Sequence, residues 1–217
     1  MTDIFEQFRR IGIIPVVVLD DAKNAARLAD ILCDNGLPCA EVTFRTSASA
    51  ETIRIMAEHR PEILVGAGTV LTTEEVNIAL DAGAKFIVSP GLNPTVVRYC
   101  LDRKIPVAPG TQTPSDMERA IEFGLDIVKF FPAEPAGGLS MIKAVAAPYT
   151  QLYFMPTGGI HAKNVRDYLA YERIIACGGS WMVKQSMIEA GDWNSIAKLV
   201  REAADIVLEV RGGKDEQ

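Results

Sequence analysis

Short apolar runs alternate with longer amphipathic stretches along the 217 residues of the chain. The runs cover residues 13–18, 39–44, 63–68, 86–88, 107–109, 127–131, 152–155 and 174–177. None alternates cleanly between apolar and polar positions, so both faces of each predicted strand should be buried, as in a parallel sheet. Residues 21–35 place Ala25, Leu28, Ala29 and Leu32 on one stripe and close on Asn35-Gly36, the pattern of a helix packed on one face. Residues 72–82 open on Thr72-Thr-Glu-Glu75, a polar cap with an acidic first turn, and stop at Gly83. Residues 94–102, 114–123 and 162–170 begin in the same way with proline or a polar cap, and His59 ends a helix before Arg60-Pro61. Residues 196–210 form the last helix, and residues 211–217 are expected to be a frayed tail.

Strands alternating with helices specify an α/β fold. The runs recur roughly every 20–26 residues, about one strand-loop-helix unit of a closed barrel. Eight units without a glycine-rich dinucleotide fingerprint favour a closed (β/α)8 TIM barrel over an open sheet. An extra N-terminal helix over about residues 2–10 would cover the bottom of that barrel. No linker or low-complexity segment interrupts residues 1–217, which read as a single domain.

Composition then removes several classes of function. Acidic residues outnumber basic ones 28 to 22 with no basic run, which argues against a nucleic-acid partner. No apolar run approaches the ~18 residues of a membrane span, so no membrane partner is expected. Cys33, Cys39, Cys100 and Cys177 are scattered, form no C-x-x-C pair and follow no signal-like leader. A reduced cytoplasmic protein with free thiols is the simplest reading. His59 and His161 are the only histidines and join no acidic cluster with zinc spacing, so neither a metal nor another cofactor is expected.

In such barrels function lies at the C-terminal ends of the strands. Lys129 sits there, flanked by Val128, Phe130 and Phe131, where its amine cannot easily reach water. Period-2 alternation puts Ile127, Lys129 and Phe131 on one face. If that face is the interior, desolvation favours the neutral amine, the form that attacks a carbonyl. The plainer alternative is a strand-end lysine pointing out past the rim. Glu41, Thr43 and Arg45 share the inner face of the second run, with Val42 and Phe44 on the other. Buried polar residues are costly unless paired or functional. Arg45 suits a carboxylate clamp and Glu41 a proton carrier, unless the two form a structural ion pair.

Thr69 follows Gly66-Ala-Gly68 and offers a hydroxyl at the mouth. After the seventh and eighth runs come Pro156-Thr157-Gly158-Gly159 and Cys177-Gly178-Gly179-Ser180. Paired glycines before helix N-termini expose backbone N–H groups to a phosphate, and the last two loops are the usual phosphate site of this fold. Tight turns alone are the other explanation. Glu134-Pro-Ala-Gly-Gly138, after the sixth run, could line the same mouth or simply form a turn.

Taken together, Glu41-Val-Thr-Phe-Arg-Thr46, Gly66-Ala-Gly-Thr-Val-Leu71, Ser89-Pro-Gly91, Val128-Lys-Phe-Phe-Pro-Ala133, Pro156-Thr-Gly-Gly-Ile160 and Gly178-Gly-Ser-Trp181 resemble the 2-keto-3-deoxy-6-phosphogluconate (KDPG) and 4-hydroxy-2-oxoglutarate (KHG) aldolases. The resemblance runs from about Gly12 to Val210, in order. It implies a metal-independent class I aldolase with Lys129 as the imine-forming lysine and Glu41 as general acid and base. It also implies contacts from Arg45 and Thr69 to the substrate carboxylate, and a homotrimer. Pro90 and Phe131 match pocket-lining positions, and Thr157, Gly158, Gly159, Gly179 and Ser180 match the phosphate end. Phe44 stands where leucine is more usual, and His161 replaces a common serine. A relative acting on the galactonate epimer carries asparagine where Arg45 stands. The alternatives are a phosphate-binding isomerase or decarboxylase, with Lys129 as an electrostatic group, and a non-catalytic trimeric barrel. Only an aldolase would form an imine.

Overall fold

The computed structural model describes residues 3–212. Its strands are β1 (Ile13–Val17), β2 (Cys39–Thr43), β3 (Leu64–Gly68), β4 (Ile87–Val88), β5 (Val107–Ala108), β6 (Gly110–Thr111), β7 (Ile127–Phe130), β8 (Tyr153–Pro156) and β9 (Cys177–Gly179). The helices are α1 (Asp3–Ile11), α2 (Ala25–Asp34), α3 (Ser49–His59), α4 (Thr73–Asp81) and α5 (Pro94–Asp102). They continue with α6 (Pro114–Glu122), α7 (Gly138–Ala146), α8 (Val165–Ala170), α9 (Gln185–Glu189) and α10 (Trp193–Arg211).

All strand pairs are parallel, in a six-stranded order β5-β4-β3-β2-β1-β9 and a three-stranded order β6-β7-β8. Parallel bridges Phe154↔Ile174 and Thr157↔Gly178 bring the β8 edge against the β9 edge, so the sheet is curled. The run at 107–109 becomes two short strands on either side of Pro109. Proline has no N–H to donate, and the chain switches there from pairing with β4 to pairing with β7. Gly110 permits the switch, because a Cβ there would lie 2.0 Å from the Pro90 carbonyl oxygen. The run at 174–177 also divides. Ile174 bridges to β8, and the ladder with β1 begins only at Cys177.

Side-chain alternation separates two apolar layers. Ala40, Val42, Val65, Ala67, Val128 and Phe130 face outward, where they pack with α2, α3 and their neighbours. Ile14, Cys39, Leu64, Phe86, Val88, Ile127 and Met155 face inward and form a separate core with Phe5 and Phe8 of α1. The Phe8 and Phe86 rings meet edge to face at 4.8 Å.

Several helices start at caps that the sequence announces. Thr72 with Glu75, and Thr113 with Asp116, form capping boxes, and Asn93 caps α5 ahead of Pro94. The chain end departs from the expectation of fraying at 211. Arg211 completes α10, and its guanidinium donates to the carbonyls of Arg9, Ile174 and Ile175. The rest of the expected tail, residues 213–217, and the first residues of the predicted N-terminal helix lie outside the described residues.

Candidate active site

Lys129 is the inward residue of β7, one position from the outward pair Val128 and Phe130. It is 5% exposed, so its amine lies within the sheet and not beyond the rim. Nζ donates a hydrogen bond of 3.1 Å to Oε1 of Glu41, which projects inward from β2 and is 1% exposed. The Nζ also lies 5.4 Å from the centre of the half-buried Phe131 ring. A residue from each of two remote strands thus meets in a site closed to bulk water. Oε2 of Glu41 is buried with no partner among the described residues. An unsatisfied buried carboxylate oxygen is costly, and such exceptions concentrate where a substrate or proton must be received.

Gly68 makes room for that carboxylate. It pairs with Thr43 across the β2–β3 ladder, and a Cβ there would stand 2.1 Å from Glu41 Oε1 and 2.5 Å from Cγ. The clash is with a side chain and not with backbone, so Gly68→Ala should fold but swing the carboxylate off Lys129. We expect kcat to fall by at least about tenfold with the midpoint of thermal unfolding little changed, since small misplacements at a reacting centre are costly. Steady-state kinetics beside a melting curve checks this. An unfolded variant, or one with full activity, would show that the glycine does not shape the site.

Thr43 is buried but structurally satisfied, since its hydroxyl donates to the Val17 carbonyl at 3.1 Å. Arg45 does not continue the inner row of β2, because the strand ends at Thr43 and Arg45 sits in the following turn, exposed. Among the described residues its guanidinium has no ion-pair or hydrogen-bond partner, so the structural Glu41–Arg45 pair does not form. Thr69 follows β3 with φ 59°, in the left-handed region that a β-branched residue rarely adopts. Such strain persists only where the surroundings enforce it, and it clusters at ligand sites. Pro90 is half-buried in a turn that Ser89 closes by donating to the Gly91 carbonyl at 2.7 Å.

The two glycine pairs lie at the ends of β8 and β9, with β8 paired directly to β7. Thr157 bridges to Gly178, its Oγ1 is buried without a partner among the described residues, and a Cβ on Gly178 would stand 2.3 Å from that oxygen. Gly158 and Gly159 have φ values of 101° and 81°, which glycine alone adopts freely. The Gly159 N–H finds no acceptor among the described residues, whereas the Thr157–Gly178 bridge turns the Gly158 N–H toward the Gly178 carbonyl. Gly179 packs under the Trp181 ring, and Ser180 is exposed beside it. Neither pair opens a helix directly, contrary to the sequence reading. α8 begins at Val165, and a turn at 180–183 precedes α9. Any anion held there meets the Gly159 N–H and no aligned helix end.

The interior thiols are held in their protonated form. Burial, reinforced by the Glu41 carboxylate, holds the Cys39 thiol well above its ordinary range, and burial pushes that of Cys177 up to about 12. Among the described residues no group of three or more His, Cys, Asp and Glu side chains is gathered as metal ligands would be. No helix of the described residues is long and apolar enough to cross a membrane. The sequence reading missed Tyr168, 2% exposed on α8, whose hydroxyl donates to Glu134. A tyrosine on the apolar stripe of a helix carries no mark of such a partner.

Comparison with known proteins agrees with this arrangement. The sequence profile of the family described as KDPG and KHG aldolase matches residues 4–199. The 2-dehydro-3-deoxy-phosphogluconate aldolase of Haemophilus influenzae is 50% identical over 94% of this chain and 96% of its own. The KHG/KDPG aldolase of Escherichia coli strain K12 is 41% identical over 89% and 91%. The KDPG aldolase of Legionella pneumophila, solved with pyruvate as a covalent carbinolamine, superposes with a TM-score of 0.89 at 34% identity, covering 93% of this chain and 98% of its own. By profile, by identity along nearly the whole length and by fold, the chain belongs to the KDPG and KHG aldolase family.

Proposed function

We propose that the chain cleaves 2-dehydro-3-deoxy-6-phosphogluconate to pyruvate and glyceraldehyde 3-phosphate through an imine on Lys129. The observation that carries this reading is the buried contact between Lys129 and Glu41, with the second carboxylate oxygen unpartnered. Transfer of one proton along that hydrogen bond turns the ion pair into a neutral amine and a carboxylic acid. No net charge is created, so a water-poor interior tolerates the exchange. Arg45 and Thr69 hold the substrate carboxylate, and Pro90 and Phe131 line the pocket over C2.

The amine adds to the C2 keto group, and the carbinolamine hydroxyl leaves as water with the proton Glu41 took from Lys129, which gives a protonated imine and returns Glu41 to its carboxylate. That cation receives the electron pair of the C3–C4 bond while Glu41 takes the C4 hydroxyl proton, releasing the aldehyde. The resulting enamine gains a proton at C3 and water hydrolyses the imine, which restores Lys129 and frees pyruvate. Thr157, Gly158, Gly159, Gly179 and Ser180 receive the phosphate. The same steps without the phosphate arm convert 4-hydroxy-2-oxoglutarate to pyruvate and glyoxylate, which the name of the Escherichia coli relative favours as a second reaction.

In this reading residues 1–217 are one catalytic domain, a closed (β/α)8 barrel. The extra N-terminal helix plugs the barrel bottom through Phe5 and Phe8. The working form is a cytoplasmic homotrimer. Both substrates should release pyruvate, and a chelator should leave both rates unchanged. Pyruvate measured with and without EDTA tests this. No pyruvate from either substrate, or a rate lost on chelation, would overturn the reading.

A further inference from the structure

The loop that follows Lys129 is tied to α8 by a contact that the proposed chemistry does not use. Tyr168, buried on α8, donates its hydroxyl to Oε1 of Glu134. Burial, and then the Glu134 acceptor, hold the phenol above its ordinary range, so it stays a donor. Gly138 leaves space for the pair, since a Cβ there would lie 3.0 Å from Glu134 Oε1 and 3.1 Å from the Tyr168 hydroxyl.

Glu134 in turn abuts the backbone of Gly158 and Gly159. Its own N–H donates to the Gly158 carbonyl at 3.0 Å, and the neighbouring Ala133 N–H donates to the Thr157 carbonyl at 2.8 Å. A Cβ on Gly159 would stand 2.6 Å from Glu134 Cβ. The left-handed backbone at 158–159 therefore rests on Glu134, and Glu134 is anchored by Tyr168. There is also an electrostatic consequence. A carboxylate beside the Gly159 N–H would compete with or repel a bound anion unless it were directed elsewhere, and the phenol directs it.

We propose that the Tyr168–Glu134 hydrogen bond is a positioning device that sets the Gly158–Gly159 peptides for a phosphomonoester dianion and keeps the Glu134 carboxylate away from it. This rests on the aldolase reading for its substrate, and it makes the pair a determinant of preference for phosphorylated over unphosphorylated keto acids. Neither residue touches the reacting atoms.

The test is a titration of the full chain with inorganic phosphate, followed by the amide resonances of Gly158 and Gly159. It is paired with kinetics on both substrates and with exchange of the C3 protons of pyruvate. In Tyr168→Phe and in Glu134→Ala the phosphate dissociation constant and the KM for the phosphorylated substrate should each rise about tenfold, the usual weight of a hydrogen bond to a charged group. The kcat values, the KM for 4-hydroxy-2-oxoglutarate and pyruvate exchange should stay near the parent's. Glu134→Gln keeps an acceptor oxygen and should recover most of the binding. Glu134 is exposed, so its variants carry the test if Tyr168→Phe fails to fold. Equal losses on both substrates, or phosphate binding that is absent or indifferent to these changes, overturn the proposal. Phosphate that binds and responds to the variants, in a chain that exchanges no pyruvate protons, supports the tether and removes the aldolase.

Discussion

Lys129→Met should lose aldol cleavage by roughly five orders of magnitude or more, since removing a nucleophile abolishes the covalent route and leaves only binding effects. The same variant should be less stable than its parent. Lys129 is the partner of Glu41 Oε1, and Oε2 already has none. Deleting the amine leaves a buried carboxylate without a counter-charge, a loss of about 3–5 kcal/mol for comparable pairs. Adding Glu41→Gln to Lys129→Met should restore most of that stability and none of the activity. Urea unfolding beside the pyruvate assay separates the two effects. Substantial cleavage by Lys129→Met would show that the amine is an electrostatic group, as in an isomerase.

The second large effect belongs to Glu41. Glutamine keeps an oxygen that accepts from Lys129, but it cannot take or return a proton. Glu41→Gln should therefore slow cleavage and the exchange of pyruvate C3 protons by about 10²–10⁴, the usual contribution of a general acid-base group. Formation of the imine with pyruvate should fall far less. If imine formation and proton exchange decline together, the carboxylate positions the amine and does not carry the proton.

Most strands were legible because a parallel sheet needs continuous apolar runs, and the runs containing β1, β2, β3, β7 and β8 sit close to where they were read. The candidate site was legible for a related reason. A lysine inside an apolar strand and a glutamate at an inward position are expensive, so each stands out against its neighbours. What stayed hidden depends on contacts between distant segments. Period-2 alternation carried Arg45 into the interior, but the strand stops two residues earlier. α7 is preceded by Gly137 in a left-handed conformation with no side-chain cap, so the usual start signal is missing. Arg211 looked like part of a polar tail until its carbonyl partners from α1 and the β9 approach were in place. The Tyr168–Glu134 contact joins residues 34 apart, a distance over which neither pattern nor spacing points to a partner.

One reactive nitrogen underlies all of the proposed chemistry, and reduction with borohydride in the presence of pyruvate interrogates it directly. Peptide mapping should find a single reduced pyruvyl adduct, on the peptide that contains Lys129, and should find none after Lys129→Met. An adduct on another lysine, or no adduct at all, would mean that the amine held against Glu41 does not form the imine.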